Sequence, residues 1–293
     1  MRVFITGASG WIGSALSREL VAAGHEVVGL ARSEASAERV RALGGSAVLG
    51  DMLDHDLLLS EADRADAVAH LAFELDFTKF DQAVENEVDL MRKMGSILAD
   101  TGKAFFAASG TPIVLGQVAS EHDVIDASGP AGARAATANA VLALSERGIR
   151  SGLVRMPRSV HGDGDRHGLI AMLVAADRDM GTAAYVGNGQ NRWPAVHISD
   201  AGRLFRLAIE QAPAGSVLHA VAEEGVPMRE VADVIAAKTG LPAGPVDPER
   251  MGVFGTLLGG DQPASSDITR RLLGWDPTGP TLLQDLEAGY YTS

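Results

Sequence analysis

The sequence predicts an α/β fold: a doubly wound parallel sheet with a smaller portion at the C-terminal end. Three observations predict it. A glycine turn, Thr6-Gly7-Ala8-Ser9-Gly10-Trp11-Ile12-Gly13, stands directly behind a short apolar strand, Val3-Phe4-Ile5. Short apolar runs then alternate with helical patterns, the signature of βαβ units and a parallel sheet. After Pro157 that rhythm breaks at Gly162-Asp163-Gly164-Asp165, and shorter mixed elements follow.

The elements follow in order. The first strand leads through the turn into a helix over 11–23, ended by Gly24 in a left-handed cap. Further strands are expected at 25–31, 47–49 and 67–71. A long helix over 80–100 stops at Thr101-Gly102, and a fifth strand covers 104–108. A second long helix over 131–147 precedes a sixth strand at 152–155. Beyond it come a helix at 169–177, a strand at 184–186 and a loop at 187–194. A helix at 200–211 and a strand at 217–221 return to the main sheet. Pro227 opens another helix, and the tail carries two more at 266–273 and 282–290. Residues 1–156, rejoined by 197–222, therefore form a dinucleotide-binding domain of Rossmann type. Residues 157–196 and 223–293 form a substrate-binding portion.

Composition narrows the function. The net charge of −13 disfavours nucleic acid and anionic membrane surfaces, which call for a basic face. With no cysteine, thiolate metal sites, disulfides and cysteine nucleophiles are excluded. The histidines show no metal-ligand spacing, so no metal is expected. No apolar run approaches a membrane span, and the chain starts on a strand rather than a signal peptide, so a cytoplasmic location is expected.

The turn carries a specific chemistry. Gly7 permits the tight exit from the strand, Gly10 lets backbone approach a pyrophosphate, and Gly13 lets the helix pack closely. Phosphates then rest on the helix N-terminus, contacted by Ser9, Gly10, Trp11, Ile12 and Gly13. Nineteen residues after Gly13, where NAD sites carry an acid, stand Arg32 and Ser33. Arg32 can neutralise a 2′-phosphate and Ser33 can donate to it, so NADP is expected, with NADPH preferred over NADH. Asp51 suits either the adenine amino group or the cap of the next helix. Leu71 and Ala72 are expected beneath the cofactor, with Phe73 towards the substrate, and His70 reads as structural.

Taken in order, several segments resemble the short-chain dehydrogenase/reductase superfamily in its extended and atypical, NAD-dependent epimerase/dehydratase-like branches. They are Thr6-Gly7-x-x-Gly10-x-x-Gly13, Gly50-Asp51, His70-Leu71-Ala72 and Ala108-Ser109-Gly110-Thr111. Arg155-Met156-Pro157, Val160-His161-Gly162, Trp193-x-x-Val196-His197-x-x-Asp200-Ala201 and Leu273-Gly274-Trp275-x-Pro277 extend the likeness over essentially the whole chain.

The resemblance implies a catalytic Ser or Thr after the fifth strand, here Ser109 with Thr111 beside it. It also implies a tyrosine acid and, four residues on, a lysine at the start of the next long helix. Neither is present. The stretch reads Ser128-Gly129-Pro130-Ala131-Gly132-Ala133-Arg134-Ala135-Ala136-Thr137, and the three tyrosines are Tyr185, Tyr290 and Tyr291. Arg134 falls near the lysine position and Pro130 near the tyrosine. Arg134 can hold the nicotinamide ribose, but its high pKa makes it a poor acid.

His161 takes a place where extended members often carry an aromatic residue facing the site. It suits a proton donor and a substrate contact, or a loop histidine satisfied by backbone. Arg192 and Trp193 suit recognition of a flat or anionic group; packing between the two portions is the alternative for Trp193. His197 and Asp200 read as structural, with Asp200 as a helix N-cap.

The expected function is NADP(H)-dependent reduction of a small carbonyl-type compound by hydride transfer, without the usual tyrosine. Reduction of an imine or a conjugated alkene is a second reading, and a non-catalytic NADP(H)-binding sensor a third. The two long helices correspond to those that form a dimer interface in many relatives, so the resemblance implies a homodimer.

Overall fold

The computed structural model describes residues 1–73, 80–125 and 132–292. The chain runs β1 (Arg2–Thr6), α1 (Trp11–Ala22), β2 (Glu26–Ala31), α2 (Glu34–Ala42), β3 (Ser46–Leu49) and α3 (His55–Arg64). It continues through β4 (Ala67–His70), α4 (Phe80–Ile97), β5 (Ala104–Gly110), α5 (Gly132–Ala143) and β6 (Arg150–Met156). Next come β7 (Ser159–His161), α6 (Leu169–Met180), β8 (Ala183–Val186), β9 (Arg192–His197), α7 (Ile198–Gln211) and β10 (Ser216–His219). The remainder is β11 (Glu223–Pro227), α8 (Met228–Thr239), β12 (Ala243–Val246), α9 (Val253–Gly259), α10 (Asp267–Leu273) and α11 (Leu282–Ala288).

Seven parallel strands form the main sheet in the order β10-β6-β5-β4-β1-β2-β3. This is the doubly wound Rossmann arrangement. The strand order reverses between β1 and β4, and such a switch opens a crevice beyond the strand ends. The strands are nearly continuous apolar runs because helices cover both faces. On one face Leu16, Leu20, Leu204 and Phe205 pack against Ile5 and Phe106; on the other Met91, Leu98 and Val141 pack against Phe4 and Phe105. Among the described residues no helix is long and apolar enough to cross a membrane.

The segment after β6 builds a three-stranded sheet, β11-β9-β7, and a two-stranded one, β12-β8. Here the sequence misleads. Gly187 and Pro194 suggest a loop over 187–194, yet Arg192–His197 is the central strand of the small sheet. Proline lacks the N–H a central strand donates. The register of β11 shifts between Glu223 and Val226, opposite Pro194, and absorbs the gap. The helix expected over 131–147 ends at Ala143 and finishes as a 3-10 turn over Leu144–Arg147.

Candidate cofactor and substrate site

The glycine turn is built against the end of β4. Gly7 has φ +75°, and a Cβ there would lie 2.9 Å from Ala72 N. A Cβ on Gly13 would lie 2.1 Å from the Gly7 carbonyl oxygen. The Thr6 hydroxyl oxygen accepts from Leu71 N at 3.1 Å and Ala72 N at 3.2 Å, locking β1 and β4 at the switch point. Helix α1 starts at Gly10 with no side-chain cap and no acidic residue in its first turn. Its first amides are left for an anion, and Ser9, Trp11 and Ile12 flank them. The Trp11 indole N–H donates to Val160 O at 3.1 Å and ties the turn to β7. The cradle fits a dinucleotide pyrophosphate.

At the far end, Arg32 is exposed just beyond β2, with no hydrogen bond or ion pair among the described residues. Ser33 caps α2, accepting from Ser36 N at 3.3 Å. Arg39 donates to the Ser36 hydroxyl at 3.0 Å. Ser36 and Arg39 thus join Arg32 and Ser33, two residues the sequence reading missed. The signal was their spacing: each lies three residues along from the one before, on one helix face. Asp51 is exposed and accepts from Leu53 N at 3.0 Å, whereas Asp54 caps α3. Of the two roles open to Asp51, capping the helix is therefore not the one it has.

Ser109 and Thr111 stand at the end of β5 beside β6. Ser109 lies opposite Arg155, and Thr111 N donates to Met156 O at 3.0 Å. Neither hydroxyl has a partner among the described residues. The segment 126–131, which includes Pro130 at the expected tyrosine position, lies outside the described residues.

Arg134 on α5 donates through Nη1 to Glu87 Oε2 at 2.7 Å, and its guanidinium carbon sits 3.8 Å above the Phe73 ring. Phe73 therefore packs on Arg134. Glu87, on α4, also accepts from Thr137 Oγ1 at 2.8 Å and meets His70 Nε2 at 3.1 Å. His70 Nδ1 in turn meets Thr6 Oγ1 at 3.1 Å. Burial pushes the Glu87 carboxyl up, but His70, Arg134 and Thr137 together hold it below the usual carboxylate value. Glu87 escaped the sequence reading because an acid within a mixed helix carries no motif.

Three sequence expectations are corrected. His161 is fully buried, its Nδ1 2.6 Å from Asp285 Oδ2 and its Nε2 facing Glu223 at 3.8 Å. It fastens β7 to α11 and does not meet solvent as a proton donor or substrate contact. Trp193 is not exposed at a pocket: it is fully buried in the C-terminal core cluster that includes Leu173, Met228 and Leu286. Arg192 is held by Asp261, through Nε at 3.0 Å and Nη2 at 2.9 Å. His197, rather than Asp200, caps α7. Asp200 instead accepts from Gly279 N at 2.8 Å and Thr278 N at 3.1 Å, fastening the tail. No tyrosine replaces the missing acid. Tyr291 is buried with its hydroxyl on Asp165, and burial raises its pKa.

The geometry is that of a Rossmann-type dinucleotide cradle, and comparison with known proteins gives the family. The NAD dependent epimerase/dehydratase family profile matches residues 3–221. The chain belongs to that family. It is thus an oxidoreductase of the short-chain dehydrogenase/reductase kind. It is 38% identical to an uncharacterized protein of Schizosaccharomyces pombe, over 99% of this chain and 100% of the relative. It is 29% identical to the 2-alkyl-3-oxoalkanoate reductase of Stenotrophomonas maltophilia, over 83% of this chain and 77% of that enzyme. The fold matches that of UDP-glucuronic acid 4-epimerase from Bacillus cereus, solved with UDP-glucuronic acid and NAD. The TM-score is 0.78 at 20% identity, over 99% of this chain and 98% of the epimerase.

Proposed function

We propose that this chain is an NADP(H)-dependent reductase of a small carbonyl-type compound. The observation that carries the cofactor preference is Arg32, exposed just beyond β2 with no partner among the described residues, with Ser33, Ser36 and Arg39 beside it. The Stenotrophomonas relative, named for reduction of a 3-oxo compound, supports a carbonyl acceptor.

When bound, a reduced nicotinamide supplies hydride to the acceptor carbon. The chain's own part is positioning. Ser109 and Thr111 hold the acceptor's oxygen, and a water between them delivers the proton that oxygen needs. Arg134, fixed by Glu87 and Phe73, holds the ribose side. The burial of His161 favours a second reading, an imine or conjugated alkene, because such acceptors do not require a strong protein acid at the hydride step.

The test is NADPH and NADH oxidation against ketones, aldehydes, cyclic imines and enones, with wild type beside Arg32→Asp. Arg32→Asp is expected to lower kcat/KM for NADPH about 30-fold or more while leaving NADH within a few-fold. Equal loss with both cofactors overturns the NADP assignment. Turnover of imines or enones alone moves the acceptor, and tight NADPH binding without any turnover points to a sensor.

A further inference from the structure

Arg158 stands where the chain leaves the main sheet. It lies two residues beyond the end of β6 and immediately before β7, at the corner between the two portions. The end of β6 is bonded to the end of β5, through Thr111 N and Met156 O, so this corner adjoins the Ser109–Thr111 edge. Beyond Thr111 the chain runs on through 113–118, where Ile113 and Leu115 are exposed. Ala119, just after it, is joined to the segment that carries Gln262: Ala119 N donates to Pro263 O at 2.9 Å and Ser265 N to Ala119 O at 2.8 Å.

The Arg158 side chain is singular among the described residues. It is partly buried, yet its one partner is neutral: Nε donates to Oε1 of Gln262, itself a buried residue. Every other partly buried arginine described reaches a carboxylate or a backbone carbonyl. Arg206 has Glu19 and Glu210, Arg192 has Asp261, and Arg150 has the carbonyls that end α7. Burial lowers the Arg158 pKa, and among the described residues no acidic neighbour acts to raise it. The group remains charged at neutral pH, because a guanidinium starts far above it. A half-desolvated cation without a counter-ion is unfavourable unless an anion completes it.

We infer that Arg158 is the anion-recognising residue of the substrate site, and that the physiological acceptor carries a carboxylate beside its reducible group. The inference rests on the reductase reading above. With Nε occupied by Gln262, the two terminal nitrogens form an end-on fork that matches the two oxygens of a carboxylate. One cation with neutral neighbours suits a monoanion better than a phosphate dianion. The carboxylate docks on Arg158, and the reducible carbon falls towards Ser109 and Thr111.

The experiment compares acetoacetate and levulinate with their methyl esters, using NADPH and wild type, Arg158→Gln and Arg158→Lys. The acids are expected to exceed their esters in kcat/KM by about tenfold or more. Arg158→Gln should lower the acids about 30-fold, mostly through KM, and leave the esters within a few-fold. Arg158→Lys should recover part of the loss. Equal effects on acid and ester, or no preference for the acid, overturn the inference. So does stronger inhibition by inorganic phosphate than by acetate, which would point to a phosphorylated ligand.

If nothing is turned over, the reductase reading fails, and Arg158 is judged by calorimetric binding of acetoacetate to the NADP-loaded protein. Binding lost in Arg158→Gln upholds the anion site; absent or unchanged binding overturns it.

Discussion

At Gly13 a single methyl group decides whether the phosphate turn survives. An alanine Cβ would sit 2.1 Å from the Gly7 carbonyl oxygen, so either α1 or the turn must move. Gly13→Ala should weaken NADPH binding about tenfold or more, as read by fluorescence titration, and lower the Tm. Ser109→Ala makes a different prediction. Its hydroxyl supports no neighbour among the described residues, so the Tm and the NADPH Kd should hold while kcat falls about 10- to 100-fold. An unchanged kcat would remove Ser109 from the chemistry. The turn was legible in the sequence because backbone geometry alone demands its glycines. His161 and Trp193 were not legible, because what buries them is distant in sequence. Asp285 lies 124 residues from His161, and nothing local marks that histidine as taken.

The cofactor-side wall depends on elements meeting through one carboxylate. Glu87 joins β4 through His70 and α5 through Arg134 and Thr137. The strands and helices themselves were legible, from apolar runs and helical periodicity. The network was not, since its members come from three separate elements, and β9 was hidden by the glycines and proline that precede and interrupt it. Glu87→Gln keeps the shape and removes the charge, leaving Arg134 without its counter-ion. A loss of about 2–4 kcal/mol in unfolding free energy is expected by denaturant titration at neutral pH. The folded pKa of Glu87 lies below its ordinary value, so its contribution is full above the ordinary carboxylate range. It disappears as pH falls through the lower folded value. The variant should therefore lose part of the acid limb of the stability profile. An identical acid limb in both proteins would show that the network contributes no net stability.

Across the whole molecule the paired carboxylates and the unpaired buried ones respond to pH in opposite directions. The carboxylates Glu87 and Glu210, in the dinucleotide-binding domain, are held low by cationic partners, so acid weakens that domain. The C-terminal portion holds Asp177, fully buried on α6. Its Oδ1 accepts from Ala184 N at 3.0 Å, and its Oδ2 has no partner among the described residues. Burial pushes its pKa up to about 7 from 3.8. The folded state then holds this proton more tightly than the unfolded chain does. The resulting penalty is absent below the unfolded pKa, grows as pH rises towards 7, and is constant above it. Glu223, raised by burial, adds to the same trend. Asp177→Asn stays neutral throughout, so it should remove most of the penalty. Its Tm relative to wild type should rise steadily between about pH 5 and pH 7 and then level off. The total change should be on the order of 2–4 kcal/mol. An amide nitrogen left without an acceptor would shift the whole curve by a constant, which is why the slope is the measure. Amide hydrogen exchange locates the effect: protection should fall with rising pH first in α6 and β8, while β1 and β4 stay closed. Parallel pH profiles for the two proteins would mean that Asp177 ionises in the folded state as it does in the unfolded one.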